Sequence, residues 1–164
     1  MKMKRRRKKF PLLPLLIIAV LILGRIFVFH TLRIEGTSMN NTLKSGDVVL
    51  VLSLFGGEPS RGDIVECAFP GRDGTYVKRV VGLPGEFVEI SGGNTIINGL
   101  MLTERYVSSE AQDYSVQLGA DQYLLLGDNR AESYDCREKD IGPASLNAFK
   151  GKVVCSLWPF KSLT

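Results

Sequence analysis

Histidine is almost absent from this chain: His30 is the only one among 164 residues, and cysteine is limited to Cys67, Cys136 and Cys155. Three scattered thiols are too few for a metal cluster or a disulfide framework, so neither a metal nor an organic cofactor is expected. The odd count leaves at least one thiol without an intramolecular partner. A lone histidine excludes a Ser-His-Asp triad unless His30 itself serves, and His30 stands directly after a long apolar run. Helical periodicity is also missing beyond residue 30, where no apolar 3.6-residue pattern lasts three turns. Internal repeats and low-complexity linkers are absent too. At this length there is room for one modest domain and an anchor.

The formal net charge of +4 is unevenly spread, because seven of the 21 Lys and Arg lie within residues 2–9. The remaining 14 stand against 17 acidic residues, so the rest of the chain is acidic on balance. A nucleic-acid partner would need basic residues on a folded face, so none is expected. Residues 10–29 are almost wholly apolar, and twenty residues of helix rise roughly 30 Å, the thickness of a bilayer's hydrocarbon core. Pro11 and Pro14 fall in its first turns, where a missing N–H costs least. Arg25 lies near the far end, within reach of the interface. The division expected is a cytoplasmic basic tail at 1–9, a transmembrane anchor at 10–29 and an extracytoplasmic domain at 30–164. A cleaved leader fits less well, since the run FVFHTLRI offers no small-x-small cleavage site.

Past the apolar run the pattern becomes short β-like stretches at 47–52, 63–69, 76–81, 86–90, 95–97, 122–126 and 151–157. Gly56-Gly57, Pro70-Gly71 and Pro84-Gly85 read as turns between them, and 145–150 as a short helix. The fold expected is mainly β, with antiparallel coiled sheets forming a partly closed barrel or a sandwich.

Without a usable histidine, a serine nucleophile needs Lys, Asp or Glu as its base. Lys78 sits between apolar neighbours in Tyr76-Val-Lys-Arg-Val-Val81; alternation puts Tyr76, Lys78 and Val80 on one face and Val77, Arg79 and Val81 on the other. An amine held among apolar groups loses its ammonium form through desolvation. Taken alone, however, such a lysine fits a solvated strand edge better. Ser38, in the polar turn 35–42, taken alone fits an ordinary turn residue better than a nucleophile. The polar cluster 127–137 alone fits a surface loop held by Asp–Arg pairs.

In order and spacing these segments resemble the sequence boxes of bacterial type I signal peptidases, compact Gram-positive forms in particular. Arg25-Ile-Phe-Val-Phe29 is similar to the family's anchor exit, and Ser38-Met-Asn-Asn-Thr-Leu43 to its nucleophile box. Gly46-Asp-Val-Val49 and Arg61-Gly-Asp-Ile-Val65 resemble its two G-D-x-V elements. Tyr76-Val-Lys-Arg-Val-Val-Gly-Leu-Pro-Gly85 resembles its general-base box. Asn98-Gly99 with Glu104-Arg-Tyr106 resembles its small hairpin and exit, and Gly127-Asp-Asn-Arg130 with Ser133, Asp135, Arg137 and Gly142 its last box.

The resemblance implies a membrane-bound serine endopeptidase that trims signal peptides from exported preproteins after small-x-small motifs. It would sit in the bacterial plasma membrane, with the lipid bilayer and the preproteins as partners. Ser38 would attack the scissile carbonyl, Lys78 would take its proton and Ser133 would orient the amine. Asp135, Arg79 and Arg137 would form an ion-pair scaffold behind the lysine. The substrate would lie extended between the segments leading into Ser38 and Lys78, with Leu32, Ile34, Met39, Leu43, Tyr76 and Val77 lining shallow pockets. Tyr76 and Val77 could not both point inward without a twist. Asn41 stands where the family usually has proline, so a less rigid turn is expected, and Gly36 leaves more of the oxyanion's binding to the Ser38 N–H. Asn41 also leaves room for a relative devoted to one substrate, such as a pilin.

Overall fold

The computed structural model describes residues 12–53, 57–107, 111–161 and 163. It opens on a helix, α1 (Leu12–Val28), whose seventeen residues rise about 25 Å. The helix expected over 10–29 is thereby corrected at its C-terminal end. Phe29 already belongs to strand β1 (Phe29–Arg33) and pairs with Leu52 of β2 (Val48–Leu52), and this ladder draws the chain out of the helix. Phe10, Pro11 and the basic tail 1–9 lie outside the described residues. Among the described residues no helix is long and apolar enough to cross a membrane. Leu13, Leu15, Leu16, Ile17, Ile18 and Val20 are each more than half exposed, so α1 buries none of them in the domain.

The remaining strands are β3 (Ile64–Cys67), β4 (Tyr76–Gly82), β5 (Phe87–Ser91), β6 (Asn94–Ile97), β7 (Leu100–Met101), β8 (Tyr114–Gln117), β9 (Leu124–Leu126) and β10 (Phe149–Trp158). They form two antiparallel sheets, a larger one in the order β1-β2-β10-β3-β4-β9 and a smaller one in the order β7-β6-β5-β8. The antiparallel β expectation holds, but the partly closed barrel does not: both sheets are open. The larger sheet ends on β9 because that strand is three residues long, and the chain after Leu126 turns across to the loop around Ser38 instead of pairing on. Strand β8, with only Tyr114 and Val116 as apolar members, carried too weak an alternation to be seen in the sequence. The helix expected over 145–150 is one 3-10 turn at Leu146–Ala148.

Two hairpins of the smaller sheet turn on residues with positive φ, Gly92-Gly93 and Asn98-Gly99. Two-residue loops of this kind match the twist of the flanking strands.

Strand β10 pairs with β2 on one side and β3 on the other, and its register slips at three places. Such bulges sharpen the local twist, which curls the larger sheet.

One apolar cluster fills the space between the sheets, joining Val65, Val80 and Leu124–Leu126 of the larger to Val88, Ile90 and Ile97 of the smaller. A second cluster comprises Val49, Val51, Ile64 and Val153 together with Ile34, Met39 and Leu43 from the Ser38 segment. The lid of this second core is therefore the loop that carries Ser38. Strands β3 and β9 are buried at every residue, as expected where apolar packing covers both faces.

Gly151 marks the tightest part of the larger sheet. A Cβ there would lie 2.5 Å from Cγ1 of Val51 and 2.9 Å from the backbone oxygen of Leu52. Gly151→Ala should lower stability by about 1–3 kcal/mol through this overpacking, read as a lower urea midpoint with an unchanged slope.

Candidate active site

Ser38 stands on a loop whose base is closed by two backbone bonds, Ile34 N–H to Asp47 O at 2.8 Å and Gly46 N–H to Ile34 O at 2.9 Å. Within the loop, Asn40 N–H donates to Thr37 O and the N–H groups of Thr42 and Leu43 donate to Met39 O. Met39 and Leu43 pin this turn into the second core at 2% and 0% exposure. Asn41 has φ +93°, and its side-chain amide donates to Tyr106 O at 3.3 Å. The expected loss of rigidity at this position is thus answered by a different device. Proline, with φ fixed near −65°, cannot take this backbone, whereas asparagine tolerates it and adds a tether.

Lys78 lies on β4 and is 2% exposed. Its Nζ donates to Ser133 Oγ at 3.2 Å. Burial holds the Lys78 amine below its ordinary value of 10.5, partly opposed by the Asp135 carboxylate. The surroundings are apolar and thiol-bearing: burial pushes the Cys136 thiol up to about 12 and raises Cys67 further still. No disulfide joins the cysteines, all three being free thiols.

The segment 127–137 brings Ser133 to Lys78 and fastens itself to the serine loop. Asn129 N–H donates to Ser38 O at 3.0 Å, and its side-chain amide to Thr37 O at 3.2 Å. Gly127 is required here, since a Cβ would fall 2.2 Å from Ser133 Oγ and 2.4 Å from Ser38 O. Asp135 accepts from Gly127 N–H at 3.0 Å and from Arg137 Nε at 2.8 Å, and Arg137 Nη2 reaches Arg130 O at 2.7 Å. This pair braces the segment.

Arg79 does not join that pair. It points to the opposite face of β4 and binds Asp128 through Nε at 2.8 Å and Nη2 at 2.7 Å. Thr42 Oγ1 donates to the same carboxylate at 2.5 Å, and the guanidinium lies 3.9 Å from the centre of the Tyr106 ring. Asp128, Thr42 and Tyr106 had no assigned role in the sequence. A partner 49 residues away from Arg79 leaves no local pattern to find. Arg130 was likewise missed: it donates to Gly127 O and Thr95 Oγ1 and pairs with Glu104, tying the segment to the smaller sheet.

Beside Ser38 runs a groove of about 530 Å³. One wall is Leu32, Arg33, Ile34 and Glu35; the other is Asp73, Gly74, Thr75, Tyr76 and Val77; Ser38 and Met39 complete it. Five of the six expected pocket residues therefore border one space. Leu43 does not, being fully buried in the second core. Tyr76 and Val77 both border the groove although they pack on different cores, because it passes the beginning of β4, where both strand faces meet it. No hydrogen bond joins Ser38 to Lys78 among the described residues; such bonds commonly tighten only when substrate is bound. His30 is engaged elsewhere, with Ser53 Oγ and Glu66 Oε2, each at 2.8 Å.

A serine open to an extended groove, with a desolvated amine behind it and no imidazole beside it, is the layout of a serine peptidase. Comparison with known proteins narrows the class. The sequence model of the family "Signal peptidase, peptidase S26" matches residues 7–158. Over 158 residues the chain is 37% identical to the signal peptidase I of Leptolyngbya laminosa, covering 88% of this chain and 76% of that protein. It is 38% identical over 138 residues to the signal peptidase I of Bacillus licheniformis, covering 74% of each. The crystal structure of a signal peptidase I from Enterococcus faecalis V583 superposes with a TM-score of 0.54 at 30% identity, covering 60% of this chain and 98% of that one. This chain belongs to the peptidase S26 family of signal peptidases. It is an enzyme, a serine peptidase that cleaves signal peptides.

The geometry at Asn41 separates two substitutions. Asn41→Pro should cost about 1–3 kcal/mol of stability through backbone strain, and Asn41→Gly about 1 kcal/mol or less, because glycine keeps φ and loses only the tether. Thermal melting of both variants, alongside cleavage of one preprotein, checks the difference.

Proposed function

We propose that Ser38 is the nucleophile and Lys78 its general base. The observation that carries this reading is a lysine buried beside the serine loop, its amine bonded to the neutral hydroxyl of Ser133. In the neutral amine, one N–H donates to Ser133 and the lone pair is left for the Ser38 hydroxyl. As Oγ attacks the scissile carbonyl, its proton passes to Nζ. The ammonium so formed returns a proton to the leaving amine, and a water then hydrolyses the acyl-enzyme by the same transfers. The Ser38 N–H, without a partner among the described residues, is placed to bind the oxyanion. Asp135 and Arg137 hold the segment that presents Ser133, whereas Arg79 anchors the serine loop through Asp128 and Thr42.

The groove suits an extended peptide that adds backbone hydrogen bonds to its walls. Alternate substrate side chains then face the protein. Ile34 and Met39, nearly buried, leave little depth for the residue before the cut, and Leu32 and Val77 border the position two residues further back. Shallow apolar pockets of this kind favour small-x-small sequences in preproteins. The apolar run 10–29 and the basic residues 2–9 support a single membrane anchor in the bacterial plasma membrane, with its N-terminus inside and residues 30–164 outside. The exposed apolar side chains of α1 are consistent with a lipid surround.

Cleavage of a model preprotein tests the dyad. Ser38→Ala and Lys78→Arg should each lower kcat/KM by more than roughly 10³-fold, since arginine does not deprotonate in a protein. Protonated Lys78 cannot accept a proton, so activity should fall as pH drops through its depressed value, on a limb below 10.5. Full turnover in Lys78→Arg would remove Lys78 from the mechanism.

Topology is open to a separate measurement. A C-terminal reporter that works only outside the cytoplasm should be active, and protease added to intact protoplasts should digest the domain. Protection of the domain would reverse the orientation.

A further inference from the structure

The single histidine forms a contact that the reaction does not use. His30 Nε2 lies 2.8 Å from Glu66 Oε2, and His30 Nδ1 lies 2.8 Å from Ser53 Oγ. A carboxylate only accepts, so Nε2 carries the proton shared with Glu66, and in neutral imidazole Nδ1 accepts from the Ser53 hydroxyl. Both ring nitrogens are thereby committed and the ring's orientation is fixed. The Glu66 side chain is 8% exposed and that of His30 39%, so the bond is partly buried, with its acceptor inside.

Its placement in the sheet gives it a consequence. His30 is on β1 and Glu66 on β3, with β2 and β10 between them. Three ladder spacings amount to roughly 14 Å on a flat sheet, yet the two side chains touch. The pair is a chord across the concave face of a curled sheet. Gly151, the register partner of Glu66 on β10, carries no side chain, and Val51, the register partner of His30, packs into the space a Cβ would take there. Neither side chain lines the groove, but each is joined by strand geometry to a residue that does. Leu32, two residues after His30 and on its face of β1, borders one wall. Val77, the register partner of Glu66, borders the other.

We propose that the His30–Glu66 pair is a tie that sets the width of the groove between Leu32 and Val77, and so limits the side chain admitted three residues before the cut. The proposal rests on the reading of Ser38 as nucleophile and of this groove as the substrate channel. The walls on either side belong to different strands, and apolar contact alone is non-directional. A hydrogen-bonded chord fixes their separation more sharply than packing does. The residue directly before the cut lies nearer Ser38, against Ile34 and Met39, and is outside the tie's reach. His30 and Glu66 are positioning residues in this scheme and touch neither the reacting atoms nor the proton path.

The test uses the full chain and two peptide series, one varied to Ala, Val or Leu three residues before the cut and the other directly before it. Glu66→Met keeps side-chain length and loses the acceptor. It should raise kcat/KM for Leu relative to Ala at the remote position by about tenfold, the scale at which apolar pockets discriminate by size. The change should appear in KM, with kcat on the all-Ala peptide within about threefold and the ratio directly before the cut unchanged. Glu66→Gln keeps an acceptor oxygen for the imidazole N–H and should keep the wild-type ratio, which an effect of the carboxylate charge would not give. If Glu66→Met fails to fold, the double variant His30→Phe with Glu66→Met, which removes both members of the pair and leaves only the half-buried Ser53 hydroxyl to turn to water, carries the same measurement. An unchanged ratio at the remote position in either folded variant overturns the tie, and so does equal relaxation at both positions. Failure of the wild-type enzyme to cut any peptide at a small-x-small site would instead overturn the reading of the groove on which the tie rests.

Discussion

Arg79 holds Asp128 with two hydrogen bonds in a place where the two side chains are 3% and 0% exposed. Thr42 from the serine loop donates to that carboxylate, Gly62 O accepts from Arg79 Nη1 at 2.9 Å, and the Tyr106 ring lies against the guanidinium. These three separate stretches of chain thus converge on one ion pair. Removing one partner of such a buried pair typically costs about 3–5 kcal/mol, because the other charge is left in a medium that cannot solvate it. The pair has every polar group engaged, since no buried side-chain polar atom among the described residues lacks a partner. It fixes the turn after Ser38 against the segment that carries Ser133.

Strand β4 lets this scaffold coexist with an amine that must be kept dry. Neighbouring residues of a strand point to opposite faces, so Lys78 enters the core between the sheets while Arg79 enters the polar cluster on the other side. A guanidinium on the same face as the amine would disfavour the ammonium, but it would also bring Asp128 and its hydrogen bonds into the apolar pocket. Separation by one residue keeps desolvation as the dominant influence on Lys78.

Much of this was legible in the sequence, for local reasons. Seven strands fall within a few residues of their expected places, because alternation and turn residues are properties of short stretches. Ser38, Lys78 and Ser133 were singled out through motifs as candidates, and the opposed directions of Lys78 and Arg79 followed from alternation alone. What stayed hidden is long-range. The two-sheet arrangement depends on pairings such as β10 with β2, a hundred residues apart, which leave no mark on either strand. Asp135 was expected to share a network with Arg79, yet Arg79 chose Asp128; charge alone does not say which carboxylate a fold delivers. Leu43 was placed on a pocket wall and is instead core. An apolar residue beside a nucleophile looks the same in sequence whether it faces the substrate or the interior.

The serine loop doubles as the cover of the second core, and this ties durability to reactivity. Met39 adjoins Ser38 and, with Leu43, is sealed beneath the loop. Local fraying of that loop would uncover Val49, Val51 and Ile64, so it is not a low-cost opening of the kind that loosens many surface loops. The bonded amide protons of Asn40, Thr42 and Leu43 are then protected by the cooperative unit as a whole, and heat disarms the peptidase at the temperature where its sheet comes apart.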